Sequence, residues 1–305
     1  MTERIEELVS ASGTGEEILD VIVVGGSQAG LAMAWHLARH HLRFVVLEAA
    51  PEIGHSWRSR WDSLTLFTPT QYDALPGMPF PGLPDTYPTK DPVASYLTEY
   101  AAEFNLPVRL NARVTDLRRT ADGFAARTDD GVFSARQAVV ATGPFQVPFT
   151  PPAAQRLDGS VTQLHSAGYR NPQALPPGPV LVVGGGNSGF QIAEELAATR
   201  QVDLSVATRA PVLPQRLAGQ DLFWWLTRIG LMRVTAESRL GRRLRARPDF
   251  IIGSRRRRLR AAGARFRPAV ADAEGRTVRF ADGSSLDVGT VIWATGYRPD
   301  YSWIH

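Results

Sequence analysis

Cysteine is missing altogether from the 305 residues. Its absence excludes structural disulfides, thiolate metal sites and any route that passes electrons through a redox-active cysteine pair, while leaving the compartment undetermined. Also missing is any apolar run near the roughly 20 residues that span a bilayer. The opening, MTERIEELVSASGTGEEILD, is polar and acidic where a secretory leader needs a basic start and an apolar middle. The expectation is a soluble cytoplasmic protein with no transmembrane segment and a flexible lead over residues 1–19. Neither a Ser-His-Asp set nor a metal-binding cluster stands out, so no metal is expected and catalytic residues are left unassigned.

What is present suits two globular domains. The chain is long enough for each to bury its own core, and 44% of it is apolar. Net charge is only +4, but residues 228–260 hold twelve arginines against two acids, Glu237 and Asp249. Four of those arginines run consecutively, 255–258, and point around a helix, which reads as a solvated face; attraction of an anionic cofactor or partner is the alternative. The aromatic run DLFWWLTRIGLM (221–232) reads as core or subunit interface, with a substrate channel or membrane contact as the alternative.

Hydrophobic patterning predicts a strand over 20–24, a helix over 28–40 and a second strand over 44–48, a βαβ unit of ordinary length. The proline-rich stretch 68–92 reads as loop. A helix over 92–104 and short strands around 108–138 lead to AVVATG (138–143). The plan then repeats: strand 180–183, helix 187–199, strand 203–209, helices to about 262, a hairpin over 276–288 and TVIWATG (290–296). The fold class expected is α/β, with two Rossmann-like dinucleotide-binding domains of three-layer ββα type, each closing on an ATG.

Both glycine turns carry a chemical argument. In G-x-G-x-x-G the first glycine permits the bend, the second lets a pyrophosphate approach the backbone, and the third lets helix pack on strand; the phosphates sit on the helix N-terminus. Gly25 and Gly30 keep the outer positions of the first turn, while Ser27 replaces the middle glycine with a small side chain whose hydroxyl can donate. Glu48 ends the second strand, where a carboxylate accepts from ribose hydroxyls and repels a 2′-phosphate. The second turn has Gly184, Gly186 and Gly189, and its following strand ends at Arg209, whose guanidinium suits a 2′-phosphate and hence NADPH. Taken singly, each turn also reads as plain structure and Arg209 as an exposed strand end.

Placed together, GGSQAGLA, GHSW, WDSLTLFTPTQYDALPGMPFP, TYPTK, HSAGYR, GGGNSG, VLPQ and ATGYRPD resemble the flavin-containing monooxygenases, and more closely their bacterial CzcO-like and plant YUCCA-like branches. The likeness runs from about residue 20 to 303. It implies that Gly25, Ser27, Gln28, Gly30 and Glu48 hold FAD, with Trp57, Arg58, Leu64, Thr65 and Leu66 toward the flavin and Thr142 and Gly143 closing that domain. It implies that Gly184, Gly186, Asn187, Ser188, Gly189 and Arg209 hold NADPH, with Thr295 and Gly296 closing the second domain. His165 and Tyr169 match the H-x-x-x-Y part of the family fingerprint at the domain crossover. Arg170 after that tyrosine points away from the Baeyer–Villiger branch.

The implied domains are 20–150 for FAD, with 297–305 starting its return segment, and 151–296 for NADPH. The chain ends at His305 where the family continues, so a form lacking the C-terminal segment is expected. The implied activity is transfer of one oxygen atom from a flavin C4a-hydroperoxide to a small organic substrate, with dioxygen as co-substrate. No nucleic acid partner is expected, and oligomeric state stays open, a homodimer included. Two other readings remain: an NADPH-dependent flavin oxidase or electron-transfer protein without oxygen insertion, and a truncated non-catalytic nucleotide-binding module.

Overall fold

The computed structural model describes residues 18–207, 211–245, 250–253 and 256–305. Most of the expected lead lies outside these residues, as do Arg209, Arg247 and Arg255. Two compact units are formed, one of residues 18–53 among those described, 100–142 and 301–305, the other of 54–99 and 143–300. The division follows space rather than linear order. Residues 54–99, which the sequence reading places with the first domain, go with the second unit, where Trp61 is buried in the core and Gln191 Nε2 donates to the Thr65 carbonyl at 3.4 Å.

The first unit is a six-stranded sheet in the order β3-β2-β1-β6-β5-β4, built from β1 (Leu19–Val24), β2 (Phe44–Leu47), β3 (Val108–Arg109), β4 (Asp116–Thr120), β5 (Gly123–Thr128) and β6 (Gly131–Val140). Strands β3, β2, β1 and β6 are parallel, and β6, β5 and β4 form an antiparallel meander. Residues 21–24 of β1 are all buried, which is why that strand reads as an unbroken apolar run rather than an alternation. Helix α1 (Gln28–Arg39) makes the crossover from β1 to β2 and buries Leu31, Ala34 and Leu37 at helical spacing. Residues 301–305 run beside β4: the Leu117 N–H donates to the Trp303 carbonyl at 2.7 Å and the His305 N–H to the Leu117 carbonyl at 2.9 Å.

In the second unit β7 (Val147–Pro148) pairs antiparallel with Tyr297–Arg298. Its main sheet is fully parallel and comprises β8 (Thr162–His165), β9 (Val180–Val183), β10 (Val202–Ser205), β11 (Arg265–Arg267) and β12 (Thr290–Trp293), in the order β11-β10-β9-β12-β8. Side-chain alternation sorts its two faces. Val180 and Val182 join Phe190, Ile192 and Leu196 of helix α2 (Asn187–Ala197), while Leu181 and Val183 join Val278 and Phe280 of an antiparallel layer made by Val270–Glu274, Thr277–Phe280 and Ser285–Asp287. Helix, parallel sheet and antiparallel layer are the three layers expected.

Local readings change: the strand expected over 203–209 is β10 and ends at Ser205. The stretch 68–92 holds a short 3₁₀ turn, Thr70–Tyr72, and the helix after it starts at Lys90 rather than 92. Pro92 is accommodated because the first-turn N–H groups of a helix have no intrahelical acceptor to lose. The aromatic run 221–232 sends one aromatic side chain, Phe223, into the interior against Phe67 and Tyr72, whereas Trp224, Ile229 and Met232 are exposed.

Candidate dinucleotide-binding turns

The two turns are built to one pattern. After β1, Gly25 takes φ +108°, its N–H donates to the Leu47 carbonyl at 2.8 Å, and the Ala141 N–H donates to the Val24 carbonyl at 2.8 Å. After β9, Gly184 takes φ +134°, its N–H donates to the Ser205 carbonyl at 2.9 Å, and the Ala294 N–H donates to the Val183 carbonyl at 2.8 Å. A Cβ on Gly25 would lie 2.6 Å from the Ala141 oxygen, and one on Gly184 2.0 Å from the Ala294 oxygen. A Cβ on Gly30 would lie 1.8 Å from the Gly25 oxygen, and one on Gly189 2.1 Å from the Gly184 oxygen. The outer glycines are therefore required by the fold itself, through a left-handed backbone at the first and helix-to-strand contact at the last.

The middle position differs. Gly186 is extended, with φ −90° and ψ −178°, and a Cβ there meets nothing within 4 Å. Ser27 occupies the corresponding place in nearly the same conformation, φ −98° and ψ −162°. The serine costs no backbone strain, since this region suits any L-residue. Its hydroxyl donates to Gln28 Oε1 and makes no cap to the helix backbone.

The shared ladder identifies which residues correspond at the second strand. Because Gly25 bonds to Leu47 and Gly184 to Ser205, Glu48 corresponds to Val206. Glu48 Oε2 accepts from the Gly26 N–H at 2.6 Å and Oε1 from the Ala50 N–H at 2.8 Å, which fixes the carboxylate over the turn with lone pairs remaining on both oxygens. In the second unit Gly185 faces Val206 in the same way. The acid's place is taken by an apolar side chain three residues before Arg209.

Of the other residues named from sequence, Thr142, two residues past β6, is the last of the 100–142 stretch of the first unit, and Gly143 is counted with the second. Gln28 is exposed and Ser188 half-buried, each in the first turn of its helix. Asn187 is a clamp: its Nδ2 donates to the Phe250 carbonyl and its Oδ1 accepts from the Ile252 N–H, both at 3.0 Å. Trp57 and Arg58 lie on the short helix His55–Arg58, entered through Gly54 at φ +83°. Leu64, Thr65 and Leu66 run against residues 86–90, with the Leu66 N–H on the Pro88 carbonyl and the Lys90 N–H on the Leu64 carbonyl.

The two fingerprint residues part company. His165 Nδ1 accepts from the Ala167 N–H at 3.1 Å, so the ring proton sits on Nε2 and is donated to the Gly296 carbonyl at 2.9 Å. Thr295 Oγ1 donates to the Phe149 carbonyl, so the loop after β12 that carries Thr295 and Gly296 is held from β8 by His165 and from residue 149 by its carbonyl. Tyr169 is elsewhere, wholly buried in the core of the second unit, its hydroxyl donating to Glu195 Oε2 at 2.7 Å. Burial and the adjacent carboxylate push its ionisation far up, so it serves as a neutral packing group.

Burial lowers the pKa of His165 below its ordinary 6.5. As pH falls the unfolded chain takes up the proton first, so this histidine makes stability decline from about pH 6.5 downward. His165→Gln should flatten that part of a melting-temperature-against-pH curve; an unchanged slope would refute the assignment.

One residue escaped the sequence reading. Lys90 is the single lysine in the chain, and it is 8% exposed, with Nζ 3.1 Å from the Arg58 carbonyl and 3.1 Å from Asp91 Oδ1. It braces the backbone that carries Trp57 and Arg58. A lone lysine in a chain otherwise supplied with arginine was the available signal.

Residues 22–227 match the family model described as pyridine nucleotide-disulphide oxidoreductase, although no cysteine is present to support disulphide chemistry. An uncharacterized CzcO-like oxidoreductase of Geobacillus kaustophilus is 44% identical over 95% of this chain and 83% of its own length. The indole-3-pyruvate monooxygenase YUCCA1 of Oryza sativa subsp. japonica is 29% identical, with 93% of this chain and 78% of that one covered. A flavin monooxygenase from Stenotrophomonas maltophilia, solved as a double mutant, is 30% identical with a TM-score of 0.78, covering 93% of this chain and 80% of that one. With two turns of this geometry and these matches together, the chain belongs to the pyridine nucleotide-disulphide oxidoreductase family and, within it, to the flavin-containing monooxygenases of the CzcO-like kind.

Proposed function

We propose that the protein is a monooxygenase that uses FAD and NADPH to place one oxygen atom from dioxygen on a small organic substrate. The observation that carries this reading is the repeated turn with opposite choices at one position: Glu48 in the first unit, Val206 in the second. In this reading the first turn, with Gly25, Ser27, Gln28, Gly30 and Glu48, takes FAD, and the second, with Gly184, Gly186, Ser188 and Gly189, takes NADPH. Residues 20–150 and 151–296 remain the proposed cofactor territories along the chain, with 297–305 as the start of the return segment.

Each turn fits its group. The open space at Gly186 admits a pyrophosphate to the backbone, and the first-turn N–H groups of α1 and α2 favour its negative charge. The Glu48 carboxylate, held over its turn, accepts from ribose hydroxyls and disfavours a 2′-phosphate. Val206 removes that repulsion from the second turn, and Arg209, outside the described residues, supplies the cation by its sequence position. His165 holds the Gly296 loop, and Lys90 braces the segment carrying Trp57 and Arg58. Bound flavin would supply the redox and oxygen-activating chemistry, with hydride coming from the nicotinamide.

The test is spectroscopic. Purified chain supplied with FAD should show a bound-flavin spectrum that bleaches anaerobically with NADPH faster than with NADH. A protein that takes up no flavin overturns the reading. Flavin reduction that yields only peroxide with every substrate tried would favour an oxidase.

A further inference from the structure

The arginine-rich, aromatic segment read from the sequence contains none of the residues proposed above to hold a dinucleotide. A hairpin (Arg216–Leu217 with Gln220–Asp221) leads into the helix Leu222–Arg228, a left-handed turn at Gly230 and the 3₁₀ turn Leu231–Arg233, with the helix Arg239–Arg245 beyond. Its inner side is firmly anchored. Asp221, 0% exposed, accepts from the Phe223 N–H, Tyr87 hydroxyl and Gln215 Nε2 at 2.7–2.9 Å, and Phe223 packs against Phe67 and Tyr72.

Its outer side is unusual for a surface. Leu217 is 56% exposed, Ile229 67%, Met232 52%, Leu240 48% and Trp224 36%. The hairpin and the end of the helix are tied together where the Trp225 indole donates to the Leu217 carbonyl at 3.0 Å and the Ile229 N–H to the Trp225 carbonyl at 3.0 Å, and Leu240 follows on the helix Arg239–Arg245. Arg228, Arg233, Arg239 and Arg242 are exposed among them, and the acids between 211 and 245 are buried Asp221 and exposed Glu237. The exposed side chains of this segment are therefore both apolar and cationic.

We propose that residues 216–243 dock on an anionic lipid surface. Charge complementarity selects this occupant. A second copy of the same face would set arginine against arginine, and a nucleic acid would leave Ile229, Met232 and Leu240 in water. A bilayer with anionic headgroups meets both needs at once: aliphatic side chains enter the acyl boundary, tryptophan sits at headgroup level, and arginines reach the phosphates along their own stems. Docking of this kind would let the enzyme draw apolar substrates from the bilayer.

Flotation of the full chain with phosphatidylcholine vesicles, with and without one quarter phosphatidylglycerol, tests the proposal. At 0.1 M salt the anionic vesicles should retain at least about tenfold more protein, with most of that preference lost at 0.5 M as the charges are screened. Arg228→Gln with Arg233→Gln should lower partitioning roughly fivefold per arginine. Ile229→Asp with Met232→Asp should lower it at least about tenfold while circular dichroism and melting stay at the parent values, because both side chains are exposed. Equal retention on both vesicle types, no retention at low salt, or a double variant that binds like the parent overturns the proposal. So does sedimentation showing that Ile229→Asp converts a dimer to a monomer, since the face would then be covered by a second copy.

Discussion

Gly189→Ala should lower the stability of the second unit by about 3 kcal/mol or more, whereas Gly186→Ala, three residues earlier, should leave it within about 1 kcal/mol of the parent. Intrinsic propensity alone predicts a gain at Gly189, since alanine is favoured over glycine in a helix by up to about 1 kcal/mol. Sterics outweigh that gain because the new Cβ would stand 2.1 Å from the Gly184 carbonyl oxygen, a backbone atom that cannot swing aside. At Gly186 the space is open and φ is −90°, so the added methyl meets neither protein nor strain. It would instead occupy the open space proposed for the pyrophosphate. The expected pair of results is a melting point lowered by several degrees with Gly189→Ala, and an unchanged melting point with weakened NADPH binding for Gly186→Ala. Equal melting points for the two variants would show that the glycine spacing is not read here as the geometry requires.

Val206→Glu should reverse coenzyme preference. The ladder puts position 206 where Glu48 stands in the first unit, so the new carboxylate can lie over the Gly184 turn as Glu48 lies over that of Gly25. A 2′-phosphate would then meet a like charge at close range, a juxtaposition costing several kcal/mol, while NADH would gain an acceptor for its ribose hydroxyls. The ratio of kcat/KM for NADPH over NADH should fall on the order of 100-fold, which is about 2.7 kcal/mol of discrimination. Steady-state kinetics with both coenzymes measures this directly, and a ratio that does not move would sink the proposed correspondence. The same experiment probes Arg209 indirectly, because a guanidinium close to position 206 would pair with the new acid and blunt the effect.

Much of the first-order plan was legible because it is local. Apolar runs at 20–24 and 180–183, glycines at fixed offsets and helical spacing after them place β1, α1, β9 and α2 to within one or two residues, since strand, turn and helix preferences act over neighbouring positions. Pro92 misled for the same local reason: proline reads as a breaker until its place within the first helical turn is known. The fate of the 221–232 run was not legible at all. Its apolar residues show no period that separates an inner from an outer face, and only packing decided that Phe223 goes in while Trp224, Ile229 and Met232 stay out.

The sequence by itself determined that there are two dinucleotide-type turns, where each begins, and that one is followed by an acid. It could not say whether Ser27 blocks its turn, which residue answers to Glu48, or that Tyr169 is core while His165 holds a loop. Those depend on backbone angles and on hydrogen-bond register between strands that are distant in the chain, Val24 with Ala141 and Val183 with Ala294. Register between remote strands is set by the joint packing of whole sheets, which no local stretch of residues encodes.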